Sequence, residues 1–364
     1  MRQYTGIKSG RCGKGRKPML KWFEQVQDGG SNIVCSKVRL ARNWSEYVFP
    51  SRLSDEDSRE MLNRLHEGLR DLGDLDGRDY ESAYLDELSE LDRRALKERR
   101  ILNASILERK APMSILITRE EDISLVLNGS DHIRIQVWAP GLCLAEALKT
   151  ADQVDDYVNA RFSYAFDDKY GYLTSYPTNV GTGLRATAIV HLPSLSMGKK
   201  FPSMLNDMGR IGVSIRGVYG EGRENYGALY EISNQKTMGR TEKELTDLVA
   251  KVASQLDEQE KQIREMGLAS HRLEMEDEVY KSYGVLRYAR RLSMKDAMTF
   301  LSQIMSGIAD GLVKLQEPCP VFRLMLGIQT ANLQKLSDRP LDKGELDMAR
   351  AAYLRSELPD LTQS

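Results

Sequence analysis

The chain is poor in the groups that most often announce a chemistry. Four cysteines (Cys12, Cys35, Cys143, Cys319) are scattered through 364 residues with no CxxC pair, which excludes a disulfide framework and a cysteine zinc site. Four histidines (His66, His132, His191, His271) are equally dispersed and show no metal-ligand spacing, so no metal site is expected. No apolar run approaches the roughly 20 residues of a membrane-spanning helix, and no membrane association is expected. A surplus of either charge is also missing. Lys and Arg number 52, Asp and Glu 53, and the formal net charge is −1, which argues against a broad nucleic-acid-binding surface. What remains is ordinary globular composition, 41% hydrophobic and 29% charged, in a chain long enough for one large or two medium domains. A cytoplasmic location is expected.

The coarse pattern is α+β. Residues 1–18 are basic, rich in glycine and lack an apolar stretch, so they read as a disordered tail or an upstream start, with Met19 an alternative beginning. Ser54 and Asp57 resemble a capping box, and Met61, Leu62, Leu65 and Leu69 recur at helical spacing until Gly73; 85–100 is a second amphipathic stretch. Residues 113–118, 123–127 and 133–138 read as strands, with Asn128-Gly129 as a hairpin signal. A helix is expected over 143–158, another around 200–208, and strands near 170–175, 186–191, 211–218 and 228–233. Thr241 and Glu244 open a helix whose stripe Leu245, Leu248, Val249, Val252, Leu256 is expected to end near Gly267. Beyond 275 the pattern is helical except at Pro318–Pro320. The expected architecture is a small helical N-terminal domain (19–100) followed by a larger domain (101–357) with a mainly antiparallel sheet covered by helices on one side, then a short tail (358–364).

Common phosphate-binding loops are absent. Gly10–Lys17 never satisfies GxxxxGK[ST], and Gly181-Thr182-Gly183 is not GxGxxG. Four other segments carry the basic residues: SKVRLARN (36–43), DHIRIQ (131–136), PTNVGTGLRA (177–186) and IRGVYGEG (215–222). Lys37 and Arg39 share a strand face by the two-residue period. Arg134, Arg185 and Arg216 join them only if the sheet brings their segments together. Taken singly each is an ordinary solvated strand residue; as a set they suit a polyphosphate, each guanidinium being a planar, permanently charged fork.

These four segments resemble the ATP:guanidino phosphotransferases, and within them the bacterial protein-arginine kinases, over roughly residues 20–355. The resemblance implies phosphoryl transfer from ATP with Mg²⁺ to arginine side chains of proteins. It assigns Ser36, Lys37, Arg39, Arg134, Arg185 and Arg216 to the nucleotide, and Glu221 and Asp131 to the substrate side. It also implies protein partners bearing arginine or phosphoarginine, a zinc-finger adaptor and a Clp-type protease; a homodimer is an open expectation. A guanidinium has a reference pKa of about 12.5–13.8, and deprotonating it in water at pH 7 costs on the order of 8–9 kcal/mol. A carboxylate must therefore orient the group and take its proton as attack proceeds.

Several positions depart from the family pattern. The loop that usually reads NEEDH is Asn128-Gly129-Ser130-Asp131-His132, so both glutamates are replaced, at Gly129 and Ser130. The usual cysteine before PTN is Tyr176, the first arginine of SxRxR is Lys37, and Arg100 aligns with a nucleotide-contacting histidine. The family's phosphoarginine-binding RDxxRA is Leu346-Asp347-Met348-Ala349-Arg350-Ala351, which keeps Asp347 and Arg350. Two expectations follow: a protein-arginine kinase of reduced activity, or a catalytically silent relative that binds nucleotide or phosphoarginine as a regulator or scaffold. A kinase of free arginine is the less favoured third.

Overall fold

The computed structural model describes residues 20–26, 30–220 and 224–362. In chain order its strands are β1 (Ile33–Arg42), β2 (Tyr80–Tyr84), β3 (Ser114–Thr118), β4 (Ile123–Leu127), β5 (Ile133–Pro140), β6 (Phe166–Asp167), β7 (Gly171–Tyr172), β8 (Leu184–His191), β9 (Val213–Gly217) and β10 (Leu229–Asn234). Its α-helices are α1 (Asp55–Gly68), α2 (Glu90–Glu98), α3 (Ala104–Glu108), α4 (Leu144–Asn159), α5 (Pro193–Met197), α6 (Phe201–Arg210), α7 (Glu242–Tyr288), α8 (Met294–Ala309), α9 (Val321–Gly327), α10 (Thr330–Gln334) and α11 (Lys343–Glu357). Eight strands form one sheet in the order β2-β3-β4-β5-β1-β8-β10-β9, every pairing antiparallel, as the α+β reading expects. No described helix is long and apolar enough to cross a membrane.

The alternation along each strand decides the layers. Val38 and Leu40 of β1, Ile133, Ile135 and Val137 of β5, and Leu184, Ala186 and Ala188 of β8 point to one side, where α1, α4 and the first half of α7 bury them with Met61, Leu65, Ala151, Val154, Val249 and Val252. Among the described residues, the opposite side has apolar cover only at its ends. Ala83, Ile115, Ile117 and Val126 pack under Leu96, Ile101 and Ile106 at one end. Cys35, Trp138, Ile189 and Leu229 meet Trp22 and the α8–α9 helices at the other. Cover on one side alone was expected, and the second face differs because its end residues are apolar and its middle is polar.

Two further features depart from the sequence reading. The segment 19–100 supplies α1 and α2, yet its β1 is a central strand of the large sheet and β2 an edge strand, because Val38 and Leu40 complete the core built by β5 and β8. The strand read at 170–175 is only the two-residue pairing of β6 with β7, outside the large sheet. The helix opened by Thr241 breaks at His271 (φ −138°, ψ 37°), close to the end expected near Gly267, and α7 then resumes as a second helix to Tyr288. The first half packs in the sheet's core, and Val279, Tyr283 and Leu286 pack in the α8–α9 core.

Candidate active site

The uncovered middle of the second face collects the basic residues. Lys37 and Arg39 (β1), Arg134 and Gln136 (β5), Arg185 and Thr187 (β8), Glu231 and Ser233 (β10) and Arg216 (β9) alternate with the core residues and share that face. Register sets their proximity: Arg39 lies opposite Arg185 on one side and Gln136 on the other, and Glu231 lies opposite Arg216. Directly opposed residues have Cβ atoms about 4.5–5.5 Å apart, a destabilising placement for like charges. Arg39 opposite Arg185 is such a pair.

Few partners within the protein answer this charge. Arg39 Nη2 donates to Asn179 Oδ1 (3.0 Å), Arg134 Nη2 to the Ile101 carbonyl (3.1 Å), and Arg185 Nη1 reaches Ser233 Oγ at 3.5 Å. Lys37 Nζ sits 4.7 Å from the centre of the Trp138 ring, a cation–π contact, and Trp138 in turn stacks on Trp22 (4.8 Å, 8°). Among the described residues the one acid on the middle of the face, Glu231, is ion-paired with Arg100. The buried Nε atoms of Arg39, Arg100 and Arg134 and the Thr187 hydroxyl have no hydrogen-bond partner. Burial accordingly pushes Lys37 down to about 8, Arg39 to about 10 and Arg134 to about 9, and lowers Arg185 as well. Burial alone would raise the Glu231 carboxyl, but Lys37, Arg100 and Arg185 together hold it below its ordinary value. Cations desolvated beyond what their neighbours repay form a site for a polyanion.

At the β5 end of this face lies the loop 128–132. Asn128 is left-handed (φ 57°) and its amide bonds the His132 carbonyl (2.8 Å). Asn128-Gly129 thus begins the β4–β5 hairpin as expected, in a five-residue loop. Asp131 is buried, and its Oδ1 accepts from Asn43 Nδ2 (2.8 Å) and the Ser175 amide (2.7 Å). It ties the loop to the segment before Asn179 and faces the charges of Arg39 and Arg134. His132 accepts from the Trp44 amide at Nδ1 (3.0 Å), with Nε2 3.0 Å from the Val48 carbonyl; burial lowers its pKa to about 4, so it is a neutral structural residue. Ser130 is half-buried and Tyr176 is 53% exposed. Glu221 lies outside the described residues.

Lys37, Arg39, Arg134, Arg185 and Arg216 therefore come together. Ser36 does not join them. The alternation that points Lys37 and Arg39 to the polar face points Ser36 to the other, where it is fully buried. Its hydroxyl donates to the Gly141 carbonyl (2.7 Å) and accepts from the Cys143 amide (3.0 Å), fixing the start of α4. Asp347 and Arg350 are likewise apart, in α11. Arg350 is 3% exposed and donates from Nη1 to Asp347 Oδ1 (2.7 Å) and the Leu292 carbonyl (2.8 Å) and from Nε to the Ile328 carbonyl (3.2 Å); its guanidinium joins α11 to the segments before α8 and after α9. Sequence reasoning missed Glu231, which only strand register brings to the face. It also missed Arg109, half-buried, bonded to the Pro50 carbonyl (2.8 Å) and within electrostatic reach of Tyr176.

Comparison with known proteins agrees with this geometry. Residues 60–263 match the model of the ATP:guanido phosphotransferase C-terminal catalytic domain, and residues 272–364 that of the protein-arginine kinase McsB C-terminal domain. The protein-arginine kinase of Caldanaerobacter subterraneus subsp. tengcongensis is 35% identical over 326 residues, 90% of this chain and 96% of that one. The protein-arginine kinase of Bacillus subtilis is 36% identical over 341 residues, 93% of each. Among solved structures, a lombricine kinase (TM-score 0.52, 21% identity, 69% of this chain and 74% of that one) and the duplicated taurocyamine kinase of Schistosoma mansoni with transition-state analogue components (TM-score 0.57, 22%, 90% and 43%) share the fold. A sheet with a concentrated cationic face, and relatives matched over nine-tenths of the chain, lead to one conclusion: this chain belongs to the ATP:guanido phosphotransferase family.

Proposed function

We propose that the protein transfers the γ-phosphoryl group of ATP to arginine side chains of proteins. The observation that carries the nucleotide half is the cationic face: Lys37, Arg39, Arg134, Arg185 and Arg216 fit a triphosphate, and the partnerless Nε atoms of Arg39 and Arg134 are donors awaiting an anion. Mg²⁺ would enter on the phosphate oxygens and neutralise charge that develops during transfer. The acceptor half rests on the names of the relatives. A guanidino nitrogen attacks the γ-phosphorus in line, the bond to the β,γ-bridging oxygen breaks, ADP leaves, and a carboxylate takes the guanidinium proton. Glu221 and Asp131 are the carboxylates assigned to that side. With Gly129 and Ser130 in place of glutamates, the rate should fall by the 10²–10⁴-fold typical of a lost general base.

The test is transfer of labelled γ-phosphate to an unstructured, arginine-rich protein. Slow formation of an acid-labile phosphoarginine, abolished by Glu221→Gln, supports the proposal. Micromolar ATP binding without that product overturns the kinase and leaves the silent nucleotide-binding regulator. The zinc-finger adaptor, the Clp-type protease and a cytoplasmic site of action belong to the same proposal, and co-purification of an adaptor with the tagged chain is their check.

A further inference from the structure

A cavity of about 1220 Å³ lies away from the middle of the polar face. It opens between α5–α6 and the edge strand β9 on one side and α7–α8 on the other, and Arg216 stands on its rim. Among its lining residues, Arg264 of α7 is 4% exposed, and the Asp310 side chain just past α8 is 6% exposed. Arg264 Nε and Asp310 Oδ1 are 3.3 Å apart, close enough to pair charges but not aligned as a hydrogen bond. Nε and Nη1 of Arg264 and Oδ2 of Asp310 are therefore without hydrogen-bond partners. A buried guanidinium and a buried carboxylate each left open is a costly arrangement for a protein core.

The surrounding charge restricts what can fill it. Glu260 is fully buried 3.9 Å from Arg264, with its oxygens engaged by the Ser194 (3.0 Å) and Leu195 (2.7 Å) amides. His191 Nε2 lies 2.7 Å from Ser302 Oγ, and burial lowers its pKa to about 3, so it adds no charge. At Arg264 itself one guanidinium thus faces two carboxylates, while Lys199, Arg216, Glu278 and Lys295 stand elsewhere on the wall. A simple anion such as phosphate would add a further negative charge beside them, and a simple cation would leave the open Arg264 donors unmet. A ligand carrying an acid and an amine on the same carbon meets both and adds no net charge. Part of the remaining wall is apolar, with Phe201, Leu205, Ile215 and Tyr226 among its residues, beside the charged Lys199, Glu278 and Lys295, and that part suits a hydrophobic stem.

We propose that this cleft binds a hydrophobic α-amino acid, free or as part of a small molecule that keeps both charged groups, with its carboxylate on Arg264 and its ammonium on Asp310. The site borders the nucleotide face at Arg216 but does not depend on the kinase reading.

The test uses the full chain with L-phenylalanine as probe, followed by calorimetry and thermal shift. Saturable binding with a Tm rise at saturation is expected, at least about tenfold weaker for 3-phenylpropionate, which lacks the ammonium, and for phenethylamine, which lacks the carboxylate. Thr299→Trp, which fills the cleft from α8, should abolish binding; Asp310→Asn is the second variant should the first fail to fold, and should weaken it to the level of 3-phenylpropionate. No saturable binding, equal binding of the three probes, or binding retained in a folded Thr299→Trp would overturn the proposal. So would loss of binding in Arg134→Gln, which would put the probe on the sheet face.

Discussion

Single side chains on the polar face carry measurable consequences. Arg134 is a desolvated cation with an open Nε, and a hydrogen bond to a charged group contributes about 1.5–3 kcal/mol. Arg134→Gln should therefore weaken ATP binding about 10- to 100-fold by calorimetry. Lys37 titrates near 8, against an ordinary value of 10.5. Its folded pKa is depressed, so between pH 8 and 10.5 the unfolded chain binds the extra proton and this group makes stability rise with pH. ATP affinity should move the other way, falling as pH rises through 8 and the ammonium is lost, and Lys37→Arg should remove that fall. At the loop, a Cβ on Gly129 would meet Val126 Cγ1 at 3.6 Å and Ile106 at 3.9 Å, ordinary contacts, and the left-handed residue is Asn128 instead. Gly129→Glu with Ser130→Glu should fold and raise phosphoryl transfer by 10²–10⁴-fold. Much of this face was legible from the period-two rule, which joins Lys37 to Arg39 and equally separates Ser36 from both. Glu231 was not legible, because an isolated acid on a strand gains meaning only from the strands beside it.

At the scale of elements, long-range ties hold the ends of the chain to each other. Glu98, closing α2, accepts from the Ala331 and Asn332 amides at the start of α10 (2.8 and 2.9 Å), and Lys335 pairs with Asp92 at 2.5 Å. Glu98→Ala leaves two amide donors without this acceptor and should cost about 1–3 kcal/mol in denaturant unfolding. Between α4 and β1, Arg42 is 1% exposed, donates to Asp155 from Nε (3.0 Å) and Nη2 (2.8 Å), and lies 3.6 Å from the Tyr172 ring. Removing one partner of such a buried pair is typically worth 3–5 kcal/mol, so Arg42→Ala should cost more than Glu98→Ala. The Ser54 N-cap of α1, the Thr241–Glu244 capping box of α7 and the apolar stripes of both could be read directly, because they are local; the expected box at α1 is an N-cap alone, with Asp57 on the Ser54 hydroxyl. The resumption of α7 beyond its break at His271 could not, because it depends on packing of Val279, Tyr283 and Leu286 in a second core.

For the whole molecule, near-zero net charge conceals a strongly uneven distribution. The 52 basic and 53 acidic residues balance, while one sheet face gathers Lys37, Arg39, Arg134, Arg185 and Arg216 around a single paired acid. Order of strands was beyond sequence reasoning: hairpins such as β3–β4–β5 declare themselves, but the insertion of β1 between β5 and β8 is a long-range pairing that no local pattern encodes. That insertion has an optical consequence. It brings the Lys37 ammonium over Trp138, itself stacked on Trp22, while the third tryptophan, Trp44, is buried in the other core. An ammonium drawn from the indole toward a polyphosphate changes the light that the stacked pair emits, and Trp44 serves as an internal reference. Titration with ATP should therefore shift the tryptophan emission, and Trp138→Phe should abolish that shift.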